Sequence, residues 1–558
     1  MNFKSLMLAL AASSALWASA QTQGYLDGIE YYKADQYANA QEILQRNLNN
    51  PETDRATSLY YLGAVDLKTG FKDAAQKKFN EGIAANPKVG LNYVGLGAID
   101  LANGDLKAAQ AQFKAATKAE NKAPVLVAIA RAYYEADPVA YAKEYESYMK
   151  KATDKDKKCP DIYIMNGDKY RDEAIASGDA NSPIIGKAAE EYSMAQYFDP
   201  ENPAAYVKYS KLFAKLNPPY SIGKLQELLS QKPNSALAQR ELAERYYDSD
   251  QWTKAAEQYG KYIENPNHFL QDEERYAVLL YTGGNYQKSL EVAKAGLAKN
   301  PNSAQMKRMV MLDEFELGNY EAAKAAAEDF FTLNNVRFTR TDYNTYANTL
   351  AKLGDYDGQI QALEKAVEIN PDNVDVLRDL TYALTNAGSR AYRDDKNAEA
   401  LADYKRAIAC GEKVVEAGGD AQDINLLGRN YYNAANVSPE DAPDRAELVA
   451  KGLQVLKPIS TEGRQQVNAL RTIMQLEFLG AGNKSSEAVK DACQKLIDAM
   501  NANPENATKN ATYYRQAYAY MANYYLENGD KAMARECLEN ALKYDPDNEG
   551  IKEVLKVL

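Results

Sequence analysis

The sequence predicts an all-α solenoid of stacked helix-turn-helix units, and three observations carry that prediction. A motif returns at a spacing of 34 residues, so that Gly97 repeats Gly63 within otherwise matching segments. Inside each copy large and small positions alternate, as in Tyr93, Leu96, Gly97, Gly104, Ala109, Phe113 and Ala116. Two helices can approach closely only where one presents small residues to the other's large ones. Pro closes several copies at a common offset (Pro87, Pro301, Pro371, Pro546), where a helix cannot continue. A fixed period of this length signals helix pairs that bury their apolar faces on their neighbours rather than in one globular core.

Composition agrees with a soluble helical array. The 558 residues are 46% hydrophobic and 26% charged, and mean hydropathy is −0.56. The formal net charge of −12 argues against nucleic acid, whose phosphates need a basic footprint. At the N-terminus, Lys4 precedes an apolar stretch from Leu6 to Trp17, and Ala18-Ser19-Ala20 supplies small residues for cleavage. Residues 1–20 therefore read as a signal peptide, cleaved after Ala20 to leave Gln21. No later segment is long and apolar enough to span a bilayer, so the expectation is an exported chain without an integral membrane span. Cys159, Cys410, Cys493 and Cys537 show no CxxC pair and no metal-ligand spacing. Cys493 and Cys537 are either paired or buried free thiols, and the demanding geometry of a disulfide favours the second. An array of this length without a disulfide framework favours a bacterial periplasm.

Taken in order, residues 21–155 form an N-terminal array. Its units run through Gly28, Tyr31, Ala40 and Leu44, then Leu59, Leu62, Gly63, Ala75 and Phe79, then the copy around Gly97, then Val125, Ala130 and Tyr133. The charged run Lys150–Lys158 with Pro160 reads as a connector. Residues 156–235 hold weaker units: one with Gly167 and Tyr192 and a lengthened loop after Ser177, and one that Pro218-Pro219 interrupts. Regular spacing resumes in a central array, 236–415, with Tyr246 and Tyr259, Gly284, Gly318 and Gly354. Ala391 to Gly418 reads as one long second helix. A C-terminal array, 416–558, contains Leu427, Gly428 and Tyr431, a loop at Pro439–Pro443, and the well-kept copy Tyr518, Met521, Ala522, Gly529, Ala534 and Leu538. Ile551, Val554, Leu555 and Leu558 share one helical face and form a capping helix, which a terminal repeat needs for solubility.

These residues resemble tetratricopeptide repeats. The family pattern W-x2-L-G-x2-Y…A-x3-F…P is matched with Tyr often standing for Trp or Phe, over nearly the whole mature chain and in roughly 13 or 14 units. The resemblance implies a right-handed superhelix whose first helices line a concave groove for extended peptides or helices of partner proteins. It also implies company in bacterial envelopes, in assembly, secretion or chaperoning complexes. One subtype of the family clamps a C-terminal carboxylate with Lys and Asn; here Tyr60, Ala64, Val94 and Ala98 stand at the corresponding positions, so that clamp is not expected.

No stretch is left over for a catalytic domain, and an enzyme is not expected. The single histidine, His268, follows Pro266 in a loop and reads as a surface residue. There is no P-loop, GxSxG or dinucleotide glycine run, and no cofactor or metal is expected. In the family frame the inward positions of the central and late units are Arg240, Arg308, Asn344, Asn348, Arg378, Tyr382, Asn425, Arg429 and Tyr432. Arg and Asn suit an extended backbone or carboxylates, and Tyr gives rigid amphipathic contact. Early units offer a more apolar strip at Tyr60, Val94 and Ala98, so two docking regions are expected, one before residue 155 and one after 236. The function read from the sequence is a protein-interaction scaffold. The alternative is a glycan- or peptidoglycan-binding solenoid, kept open by 42 Tyr and by doublets at 31–32, 246–247, 431–432 and 524–525.

Overall fold

The computed structural model describes residues 24–178, 183–502 and 504–558. The signal-peptide expectation falls on residues outside these. Among the described residues 29 α-helices and no strands occur, arranged as fourteen antiparallel pairs and one final helix. The first member of each pair is termed helix A and the second helix B. The chain divides into two compact units, Met1–Pro301 and Asn302–Leu558.

Most turns between A and B place a residue in the left-handed region, which an L side chain enters at a cost. Gly70, Gly104, Gly284, Gly318, Gly354 and Gly529 take it with φ between 76° and 90°, and Asp35, Asp250 and Asp395 do so in other pairs. The motif glycine within helix A is needed for a different reason. A Cβ on Gly97 would lie 2.4 Å from the Phe113 ring, and one on Gly63 would lie 2.6 Å from Phe79. Gly167 and Gly388 stand against Tyr192 and Tyr404 in the same way. The ring of helix B thus sits directly on the backbone of helix A. Within each unit successive A helices also pack on one another, whereas successive B helices show no comparable pairing. A helices therefore form the inner wall of each curved stack.

Several local expectations change. Lys150–Lys155 belong to the helix Ala142–Lys155, so the basic run is a solvated helix end and not a connector. Pro218 does not interrupt a unit; it opens the helix Pro218–Gln231 at its first position, where the missing N–H is harmless, and Asn217 caps Tyr220. The long second helix expected at 391–418 is Asn397–Glu416, of 20 residues; it starts later because Ala391–Arg393 end the helix A Val374–Arg393 and Asp395, with φ 61°, makes the turn. The cap Glu549–Val557 packs through Ile551, Leu555 and Leu558, while Val554 is exposed. All four cysteines are free; Cys493 and Cys537 are buried, and burial pushes their thiols up to about 12 and about 11.

The largest departure concerns the first pair, residues 24–33 and Tyr37–Asn47. A solenoid repeat is expected to touch only its neighbours. Here Lys33 Nζ lies 2.9 Å from Asp161, and Asp35 accepts from Lys208 at 2.6 Å and Arg171 at 2.7 Å. Glu30 pairs with Lys232, Asn267 donates to Asp27 at 2.6 Å, and the Tyr31 ring meets Phe269 edge-on at 5.5 Å. These partners belong to the fifth to eighth pairs. Within the first unit the stack closes on itself.

Candidate functional site

Of the nine residues expected to face inward, the three arginines near helix starts are held by acids of the same chain. Arg240, Arg308 and Arg378 are each the fifth residue of a helix A, and each grips the third residue of the next helix A with two hydrogen bonds. The pairs are Arg240–Asp272 (2.7 and 3.1 Å), Arg308–Asp342 (2.8 and 3.1 Å) and Arg378–Asp423 (2.8 and 3.0 Å). The three aspartates are buried. Asp342 and Asp423 also close capping boxes by accepting from the backbone N–H of Thr339 and Asp420. Hydrogen bonding from Arg378 holds the Asp423 carboxyl below its usual range. One carboxylate thus caps its own helix and fixes the register of the preceding one.

Asn344 and Asn425 occupy that same fifth position in the intervening A helices, both half-buried. Their amide oxygens are buried with no hydrogen-bond partner, which a buried acceptor seldom is. Asn348, Tyr382 and Arg429 follow one turn later on the same face; Asn348 and Tyr382 are half-buried and Arg429 is exposed. The Tyr382 hydroxyl accepts from Gln422 at 3.0 Å. Burial raises the Tyr432 phenol, and the charge of Tyr520 adds to this while Arg471 opposes it. Tyr432 therefore adjoins a row that sequence reasoning missed: Phe478 stacked on Tyr520 at 4.4 Å and 6°, and Arg471 over Tyr513 at 4.4 Å. Phe478 and Arg471 lie in a weakly matching unit, where the motif gave little guidance to the inner face, and Tyr513 and Tyr520 lie on the next helix A at positions the motif does not specify.

In the first unit the strip Tyr60, Ala64, Val94 and Ala98 lines a cavity of about 290 Å³. A second, of about 200 Å³, shares Tyr32, Tyr60, Ala128, Arg131 and Glu135 with it. The expected apolar strip is therefore one wall of a chamber whose other wall is polar. Glu135 is ion-paired with Lys68 at 2.7 Å, and Arg131 with Asp168 at 2.8 Å. The doublet Tyr31-Tyr32 was the available signal, for Tyr31 is buried in the closure while Tyr32 faces the chamber. His268 is no surface residue. Its side chain is 18% exposed, with Nδ1 at 2.6 Å from the Asn265 carbonyl and Nε2 at 2.6 Å from Glu273. Among the described residues no group of His, Cys, Asp and Glu is arranged to hold a metal ion, and no helix is long and apolar enough to cross a membrane.

Two segments, residues 343–373 and 515–548, match the family model described as tetratricopeptide repeat. Among curated proteins none matches this sequence. Solved structures with a likeness to the chain include the C-terminal part of a TPR repeat-containing protein from Cytophaga hutchinsonii, at 22% identity and TM-score 0.37, covering 50% of this chain and 98% of that one. A tetratricopeptide repeat protein from Parabacteroides merdae is 17% identical with TM-score 0.29, over 48% of this chain and 98% of that one. The human IFIT1 dimer with PPP-AAAA is 15% identical with TM-score 0.29, over 93% of this chain and 95% of that one. Identity rests on the two matched segments and on the register that continues around them. Residues 343–373 and 515–548 are tetratricopeptide repeats, a repeat type that serves in general as a protein-interaction scaffold.

Proposed function

We propose that the protein is an exported adaptor of the cell envelope, and that the inner face of its second unit receives an extended segment of a partner protein. The observation that carries this reading is the pair of orphaned amide oxygens at Asn344 and Asn425. They occupy the fifth position of alternate A helices, with Tyr382 on the helix between them and Arg429 and Tyr432 beside Asn425. A small rotation of either amide offers an acceptor and two donors to a peptide backbone. The rigid rings nearby lose little entropy on contact. Arg308 and Arg378 support this face by fixing helix spacing, and Arg429 supplies its exposed charge.

The test is affinity purification of the full chain from its own envelope fraction, beside Arg429→Glu and Tyr432→Ala variants. A partner retained by the wild type and reduced at least tenfold on both variants is the expected result. Retention unchanged on both would refute this face as the docking surface. Export is checked independently: the mature protein should begin at Gln21 and fractionate outside the cytoplasm.

A further inference from the structure

We propose that the chamber of the first unit is a binding site for a neutral saccharide of one or two rings. Four observations converge on that ligand class. The first is size: about 290 Å³ lies at the lower edge of small-molecule sites, roughly 300–1,000 Å³, so an extended polypeptide is not accommodated but a compact ligand is. The space exists because Ala64, Ala98 and Ala128 stand where larger residues would fill it.

The second is charge. Each ionised group of the walls that lies inside already has an opposite partner: Lys68 with Glu135 at 2.7 Å, Arg131 with Asp168 at 2.8 Å, Lys33 with Asp161 at 2.9 Å, Asp35 with Lys208 at 2.6 Å. The remaining Lys72 is exposed and donates to Ala102 O and Asn103 Oδ1. A charged ligand would have to break one of these pairs and strand its partner. A neutral, hydroxyl-rich one would use their spare lone pairs and N–H groups intact.

The third is hydrogen-bonding capacity. Tyr32 and Tyr60 line both cavities, and among the described residues neither hydroxyl has a hydrogen-bond partner. Burial holds both phenols well above their usual range, so each stays a neutral donor and acceptor. The fourth is rigidity. Tyr60 is held edge-on by Tyr61 at 4.9 Å and lies 6.0 Å from Phe79, and Tyr32 is held by Tyr61 at 5.1 Å. Locked rings beside planar guanidinium and carboxylate groups present the flat apolar and in-plane polar surfaces that a sugar ring requires.

The experiment is calorimetric titration of the full mature chain with neutral disaccharides (cellobiose, maltose, di-N-acetylchitobiose). Digalacturonate, glucosamine and a tripeptide serve as charged controls. At least one neutral sugar should bind with Kd below about 1 mM, and the charged compounds at least tenfold more weakly. Tyr60→Phe keeps the ring and removes the hydroxyl, and should weaken binding about tenfold. Ala128→Leu intrudes on both cavities and should abolish it, with far-ultraviolet dichroism confirming the fold; if that variant fails to fold, Tyr60→Phe decides. Affinity that climbs from disaccharide to tetrasaccharide assigns the ligand to a polymer end, and flat affinity assigns a free sugar. Absence of binding to every neutral sugar at 10 mM, tighter binding of a charged control, or binding unaltered by both substitutions would overturn the proposal. None of these results depends on the protein partner of the second unit, so either reading can fail alone.

Discussion

Lys208 has a side-chain exposure of 2%, and its ammonium lies between Asp35 at 2.6 Å and Asp168 at 2.8 Å. Burial alone would raise the Asp168 carboxyl, but Lys208, with Arg131 and Arg171, holds it well below the usual carboxylate range. Asp35 is lowered by the same lysine. Replacing Lys208 by Met removes the ammonium between buried Asp168 and half-buried Asp35 and leaves Arg131 and Arg171 as their partners, so a loss of about 2–3 kcal/mol in urea unfolding is expected. A depressed folded pKa stabilises above the unfolded value, near 4 for a carboxylate, and that stabilisation is lost as pH falls through the folded value. The wild-type urea midpoint should therefore hold from pH 7 to about 5 and drop under stronger acid, while Lys208→Met shows a shallower acid slope. Glycine positions separate two causes at the same scale. Gly104 has φ 80° and an added Cβ would meet nothing within 4 Å, so Gly104→Ala should cost about 1–2 kcal/mol through backbone strain alone. Gly104→Asn should cost less, because Asn tolerates the left-handed region, where Asn335 and Asn483 already stand.

At the level of helices, the A–B contact tolerates no added atom on its small side. Gly97→Ala puts a methyl 2.4 Å from Phe113, and thermal unfolding should show a loss of about 1–3 kcal/mol, without any change of backbone region. The arginine–aspartate ladder acts between neighbouring A helices. Asp342 is buried and Arg308 is about one-fifth exposed, so Arg308→Ala should cost about 2 kcal/mol, discounted from a fully buried pair. Arg429→Glu changes an exposed side chain and should leave stability within about 0.5 kcal/mol. That contrast distinguishes the register-keeping arginines from Arg429, which we propose meets a partner. Helix existence, pairing and the motif glycines were legible because each depends on residues within one period. The ladder was half legible: its arginines stood at inward positions, but their aspartates lie 32 to 45 residues on. A helix-first-turn Asp reads equally well as a cap alone.

For the first unit as a whole, closure changes how stability is shared. In an open array, removing residues 24–47 would disturb only the adjoining pair. Here it also removes Lys33, Asp35 and Glu30 from Asp161, Lys208 and Lys232. Hydrogen exchange should then quicken in the distant helices Pro160–Ser177, Pro203–Phe213 and Ala236–Asp248, not merely in Arg55–Lys68. Unchanged protection in those three would show that the closing contacts add no stability.

The sequence by itself determined the repeating brick: its two helices, its turn residue, the ring that meets a glycine, and the family these define. All of that is written within about 34 residues and stated many times over. What only the tertiary structure decided is that the first pair meets the fifth to eighth, that Arg240, Arg308 and Arg378 face acids of their own chain, and that a strip of small residues becomes a chamber wall. Those outcomes depend on the rotation added by each successive pair. A small angle, set by side-chain packing at every interface, accumulates over several pairs before Asp35 can reach Lys208, and no single window of sequence contains that sum.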